Sequence, residues 1–109
     1  MKRGDIFLFN LREGVGHEQS GSRPGILISN IINGMLLVVP LTSNLEALRF
    51  SYTLNIAPSI QNGLISKSVA LVFQIKSLDK KRAVKQIGCI DASGQKELNK
   101  LLEDLLFNF

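Results

Sequence analysis

The sequence predicts a mainly β fold: a small barrel or strongly bent sheet of five to seven short strands, followed by one amphipathic C-terminal helix. Three observations predict it. Short apolar runs recur up to Ile90, separated by turn signals such as Asn33-Gly34 and Asn62-Gly63. Phe50, Tyr52, Leu54 and Ile56 alternate with Ser51, Thr53 and Asn55, the period of two that marks a strand with one buried face. After Asp91 the period changes: Leu98, Leu101, Leu102, Leu105 and Phe109 fall at helical spacing, with Lys96, Glu97, Asn99, Lys100, Glu103 and Asp104 on the other face.

In chain order, the first strand is Ile6 to Phe9, after Gly4-Asp5. The second is Gly25 to Ser29, entered through Pro24, which lacks an N–H and suits the first residue of a strand. Asn33-Gly34 is a two-residue hairpin turn, leading to a third run, Met35 to Val39. The alternating stretch 50–56 is the fourth. Ser68 to Phe73 follows, then Ala83 to Ile90. Ser93 is the expected N-cap of the helix.

A chain of 109 residues, 45% hydrophobic, is expected to form a single domain spanning 1–109. A domain this small buries a modest share of its surface, so a partner surface would add stability. No apolar run reaches the about 18 residues that a membrane span takes. The basic, apolar start MKRGDIFLFN stops at Asn10 and does not read as a signal peptide. Cys89 is the one cysteine, which fits a reducing compartment, and the expected location is cytoplasmic.

The net charge is +4 and the pI about 9.5, which suits an anionic partner. Lys76, Lys80, Lys81, Arg82 and Lys85 cluster with only Asp79 opposing them. That one-sided cluster is either a solvated face or a phosphate-contacting one.

Several chemistries are absent from the sequence. One histidine and one cysteine far apart do not make a zinc site of the usual kind, and neither metal nor cofactor is expected. There is no GxxxxGK[ST] loop, no GxGxxG and no GxSxG elbow. Cys89 stands in an apolar run and reads as buried filler.

Two polar stretches are out of keeping with simple connectors: GHEQSGSRP at 16–24 and PLTSN at 40–44. Counting outward from Asn33-Gly34, Arg23-Pro24 and Leu41-Thr42 fall at the far ends of the two hairpin strands, and the two ends meet there. A guanidinium is thereby placed near a hydroxyl, beside a loop carrying His17 and Glu18. Such a set suits a phosphodiester. Arginine offers a planar fork to phosphate oxygens, a threonine hydroxyl adds a neutral donor, and a carboxylate or imidazole can move a proton. In RNA the nucleophile is already attached as the 2′-OH, so alignment alone permits cleavage without a metal.

At these residues the sequence resembles the MazF/PemK toxins of bacterial type II toxin–antitoxin modules. The resemblance runs through RGDIFLFNL at 3–11, GHEQSGSRP at 16–24 (family GxEQxGxRP), VVPLTSN at 38–44 and SVALVFQIKSLDKKR at 68–82 (family SVxLxxQxRxxDKxR). It implies an SH3-like barrel with a C-terminal helix, working as a homodimer. It implies a metal-independent, sequence-specific endoribonuclease that cuts single-stranded mRNA to a 2′,3′-cyclic phosphate and a 5′-OH. It also implies an antitoxin partner whose acidic tail occupies the RNA groove.

By the same resemblance, Arg23 and Thr42 match catalytic positions and Glu18 a loop glutamate near the scissile phosphate. His17 matches the PemK/Kid branch, whereas MazF members often have serine there. Gln74 and Ser68 match groove positions, and Gln19, Ser43 and Asn44 belong to the matching motifs. With Phe73, Lys76 and Lys80 they complete the expected RNA-binding set. The chain departs from the pattern where Kid-like members carry Arg-x-Asp before the glutamine: here Leu71 and Phe73 stand. An arginine–aspartate mechanism therefore cannot run, and Arg23 and Thr42, helped by Glu18 or His17, must carry the chemistry. Phe73 is open to two readings, a base-stacking side chain or a core phenylalanine. Lys67 replaces a common acidic residue and either makes the groove more basic or marks a strand start. Two rival functions remain: a CcdB-type toxin that binds gyrase and cleaves nothing, for which the C-terminal LLFNF gives some support, and a catalytically silent relative that binds RNA or antitoxin.

Overall fold

The computed structural model describes residues 1–10 and 22–108. Seven strands are present among them: β1 (Asp5–Asn10), β2 (Ser22–Leu27), β3 (Met35–Thr42), β4 (Thr53–Ile56), β5 (Ser68–Leu71), β6 (Lys76–Asp79) and β7 (Ala83–Cys89). One α-helix, α1 (Ala92–Phe107), closes the chain. All strand pairs are antiparallel, in the order β4-β5-β3-β2-β1-β7, with β6 also on β3. The sheet bends towards a barrel without closing. The segment between β4 and β5 spans the gap between β4 and β7, where the Cys89 N–H donates to the Gln61 carbonyl at 3.0 Å.

The apolar runs are continuous rather than alternating because the sheet has a core on each face. Ile6, Ile26, Val39, Leu41, Ala70 and Val72 pack with Leu98 and Leu102 of α1. Phe7, Phe9, Leu27, Leu36 and Val38 form a second cluster with Leu78 and Ala83. Adjacent residues such as Ile6 and Phe7, or Val38 and Val39, thus serve opposite sides.

The hairpin turn is as the sequence predicts. Asn33 and Gly34 both have positive φ, 52° and 79°, the signature of a type I′ turn. Ile32 and Met35 exchange both backbone hydrogen bonds across it.

Prolines mark where β2 and β3 change partners. Pro24 is the third residue of β2, not its first, and pairs with Leu8 of β1. The Ile28 N–H donates to the Leu37 carbonyl, so even-numbered residues of β2 direct their N–H groups towards β3. That ladder ends at Gly25↔Pro40, and the N–H that Pro24 lacks would have pointed past its end. Pro40 is the counterpart in β3: its other edge pairs with β6 up to Val38 and with β5 from Leu41. Proline sits in the break between them, where no ladder bond is lost.

Four further expectations need correction. The stretch 50–56 is a strand only over Thr53–Ile56. Phe50 ends the 3-10 helix Leu45–Arg49, and Tyr52 takes a positive φ of 60°, so the chain turns before it extends. The run Ser68 to Phe73 is a strand only to Leu71, because Val72–Gln74 is a 3-10 turn. Cys89 is half-buried, with the Gln61 side-chain amide 3.6 Å from its sulfur, and so is not buried filler. The helix N-cap is Asp91, not Ser93: its carboxylate accepts from the Gly94 N–H at 2.7 Å. A carboxylate there satisfies an orphan N–H and faces the positive end of the helix dipole. Asp91→Ala is expected to lower stability by about 1 kcal/mol, and Ser93→Ala, at an exposed position, by far less. Urea unfolding of the two variants checks the assignment; equal midpoints would sink it.

Candidate active site

The far end of the β2–β3 hairpin is reached through a two-residue register shift across 28–31, because the turn pairs Ile32 with Met35 while the ladder beyond pairs Leu27 with Val38. The β2–β3 ladder pairs Ile26 with Val39 and Gly25 with Pro40 and ends there, two residues short of Arg23 on one strand and of Thr42 on the other. Arg23 pairs with Phe9 of β1, and its side chain is exposed. Rigid strands flank it, and Gly25 shows how tightly: a Cβ there would meet a Val38 methyl at 2.5 Å and the Phe9 ring at 3.2 Å.

Beside Arg23 lies an open depression of about 370 Å³. Ser22, Arg23, Ser43, Ser66 and Ser68 give it polar walls, and Pro24, Leu41, Leu64 and Ile65 apolar ones. Ile65 is almost fully exposed at its rim. Ser68 is buried at the start of β5, and its hydroxyl donates to the Ser66 carbonyl at 3.1 Å. Among the described residues no carboxylate pairs with Arg23.

Thr42 stands next to this depression rather than in its wall. Its hydroxyl oxygen accepts from the Asn44 N–H at 3.1 Å, the local turn expected of a threonine at a strand end. That bond fixes the oxygen and leaves the hydroxyl proton free to donate outward. The Asn44 side-chain oxygen accepts from the Glu46 N–H and caps the 3-10 helix that follows, while the side chain stays exposed.

The other expected residues divide. Arg23, Ser43 and Ser68 come together, with Thr42 alongside. Phe73 is not a core residue: it is exposed, on the 3-10 turn after β5, with Gln74 exposed beside it. Lys67 is exposed just before β5. Lys76 is exposed opposite Val38, midway along β3. Lys80 follows Asp79, which pairs with Met35, and its N–H donates to the Gly34 carbonyl. Lys80 is therefore at the other end of β3 from Thr42, about 20 Å away at roughly 3.3 Å per residue, and outside the depression. His17, Glu18 and Gln19 lie outside the described residues, as does the apposition of His17 with Cys89. Among the described residues no three His, Cys, Asp or Glu side chains group in a way that could hold a metal.

Sequence reading missed Ser66, Leu64 and Ile65, the wall supplied by the segment before β5. Only Asn62-Gly63 hinted that this segment folds back.

The bent antiparallel sheet and single C-terminal helix place the chain among small, mainly β proteins. The structure matches that of a MazE–MazF complex from Deinococcus radiodurans with a TM-score of 0.75 and 26% identity, over 97% of this chain and 95% of that one. A family model described as the PemK-like, MazF-like toxin of type II toxin–antitoxin systems matches residues 2–106. The chain belongs to that family. Among curated relatives, the endoribonuclease MazF of Staphylococcus saprophyticus is 29% identical, over 94% of this chain and 88% of its own length. The endoribonuclease EndoA of Bacillus subtilis is 28% identical, over 94% and 91%.

Proposed function

We propose that the chain is the toxin of a type II toxin–antitoxin module, and that it is an endoribonuclease cutting single-stranded mRNA at a short sequence. The observation that carries the site is the Arg23 guanidinium, without a carboxylate partner among the described residues, in the wall of a depression shared with Ser43 and Ser68. Arg23 holds the scissile phosphate and stabilises the charge that builds on its oxygens during attack. Thr42 donates a second hydrogen bond. The 2′-OH gives its proton to Glu18 or His17, the O2′–P bond forms, the P–O5′ bond breaks, and the 5′ oxygen takes up a proton. The products are a 2′,3′-cyclic phosphate and a 5′-OH, and no step calls for a metal. Ser43, Ser68, Gln19 and Gln74 contact the RNA around the cut, and the lysines beyond the cleft attract its backbone.

The net charge of +4 also favours the acidic tail of a cognate antitoxin, which would compete for the same groove. The working form is a homodimer in the cytoplasm. No helix among the described residues is long and apolar enough to cross a membrane.

A cleavage assay on long, mostly unpaired RNA with EDTA present tests the proposal. Cuts at one short sequence with cyclic-phosphate ends are expected, at an unchanged rate in the chelator. A second reading, a non-enzymatic gyrase-binding toxin, draws on Leu106 and Phe107, both exposed at the end of α1. Inhibition of DNA supercoiling without RNA cleavage would select it.

A further inference from the structure

Two segments that leave the cleft meet again at an exposed pair of aromatic rings. One runs from Thr42 and Ser43 through the 3-10 helix Leu45–Arg49 to Phe50. The other runs from Ser68 along β5 to Phe73, a span of at most about 17 Å. The Phe50 and Phe73 ring centroids are 5.9 Å apart and the planes are tilted by 60°, a favourable edge-on geometry. The Arg49 guanidinium carbon lies 5.0 Å from the Phe50 ring centroid. Neither ring belongs to either core cluster, and they are 47% and 40% exposed.

The pair is held in place. The Phe73 N–H donates to the Tyr52 carbonyl at 3.3 Å. Tyr52 has a φ of 60°, a conformation that a bulky L residue rarely adopts without being fixed by its surroundings. Tyr52 also packs on the main core. A rigid aromatic pair costs little entropy to use as a binding surface.

We infer that Arg49, Phe50 and Phe73 form a stacking platform for one unpaired base of the RNA, upstream or downstream of the cut, and thereby help to set sequence preference. The inference rests on the endoribonuclease proposal and gives Phe73 a function where an acidic group is missing. An exposed ring offers a π-face to a flipped-out base, and a guanidinium beside it adds a cation–π contribution and charge for the adjoining phosphate. A carboxylate at position 73 would repel that phosphate; phenylalanine does not.

The test uses the full chain in two assays. Affinity for a short unpaired RNA of mixed sequence is measured by fluorescence anisotropy in an Arg23→Ala background, with and without Phe73→Ala. An abasic site is walked through the oligonucleotide. Cut sites on a long RNA are mapped for the wild type, Phe73→Ala, Phe50→Ala and Phe73→Trp. Expected are about tenfold weaker binding in Phe73→Ala, loss of base preference at one fixed distance from the cut, and retention of both by Phe73→Trp. The abasic site at that position should weaken the parent by a similar factor and Phe73→Ala no further. Unchanged affinity and cut sites in Phe73→Ala, with wild-type cleavage intact, would overturn the platform and leave the Arg23 site standing. A dimer lost on ultracentrifugation, with the cut pattern unchanged, would assign the rings to a contact between copies and likewise overturn it. Binding with abasic coupling but no cleavage by the wild type would remove the nuclease and keep the platform. A wild type that neither binds nor cuts unpaired RNA would end both.

Discussion

Arg23→Ala should lower RNA cleavage by about 10²–10³-fold while leaving the thermal midpoint within a degree or two. The two halves of that expectation have separate causes. Arg23 is exposed at the end of β2, where truncation opens no cavity and orphans no buried group. Its backbone stays in register with Phe9 whatever the side chain is. The chemical loss is large because a phosphodiester under attack concentrates negative charge on its non-bridging oxygens. No other cation lines the depression, so nothing on the described surface replaces the guanidinium. Lysine in its place would restore charge but not the two-pronged geometry, and only partial recovery is expected of Arg23→Lys. Steady-state cleavage of a fluorogenic RNA, with circular dichroism on the same samples, decides the matter. Full activity in a folded Arg23→Ala protein would remove the site assignment.

How far this site was legible in the sequence follows from which parts are local. Asn33-Gly34 fixes the hairpin turn by backbone conformation alone. Counting from it brings Arg23 and Thr42 to the same end of the hairpin, but it does not give their register. The turn pairs Ile32 with Met35, which alone would set Arg23 against Asn44, whereas a two-residue shift across the irregular segment 28–31 leads to Gly25↔Pro40. The hydrophobic runs gave the strands and the leucine spacing gave α1. What was not legible depends on tertiary contacts. β6 is hidden inside the basic cluster: Lys76–Asp79 has only Leu78 to show an inward face, and it forms because β3 offers it an edge. The alternation over 50–56 misled because Phe50 and Tyr52 follow the period of a strand while their backbone turns. Thr42 and Asn44 also do local structural work, Thr42 through a turn bond from the Asn44 N–H and Asn44 as the cap of the 3-10 helix. Lys80 belongs to the basic cluster in sequence, but the β3–β6 register carries it away from the cleft.

The cleft wall that sequence reading missed depends on a close approach between two glycines' surroundings, and here the largest stability effect is expected. The segment 57–64 lies on β7 with no room to spare. A Cβ on Gly63 would come within 1.9 Å of the Ile87 carbonyl oxygen, and one on Gly88 within 2.3 Å of the Gln61 carbonyl. Gly63 also has a φ of 71°, which a side chain would strain further. The neighbouring Asn62 is 6% exposed and holds the segment together: its side-chain oxygen accepts from the Ser59 and Leu64 N–H groups, and its amide donates to the Ala57 carbonyl. Gly63→Ala must therefore push the segment off β7, straining the Gln61–Cys89 hydrogen bond and the Asn62 network together. A loss of about 3 kcal/mol or more is expected from overpacking and backbone strain combined, out of a total of roughly 5–15 kcal/mol for a domain of this kind. Leu64 is buried in the core and also lines the cleft, so the same displacement would move the wall facing Arg23. Urea unfolding should show an earlier midpoint for Gly63→Ala. Cleavage should fall even under conditions where the protein is still folded, in contrast to Arg23→Ala, which loses activity with no loss of stability. A Gly63→Ala protein with wild-type midpoint and wild-type activity would mean that the segment has slack that its contacts with β7 do not allow.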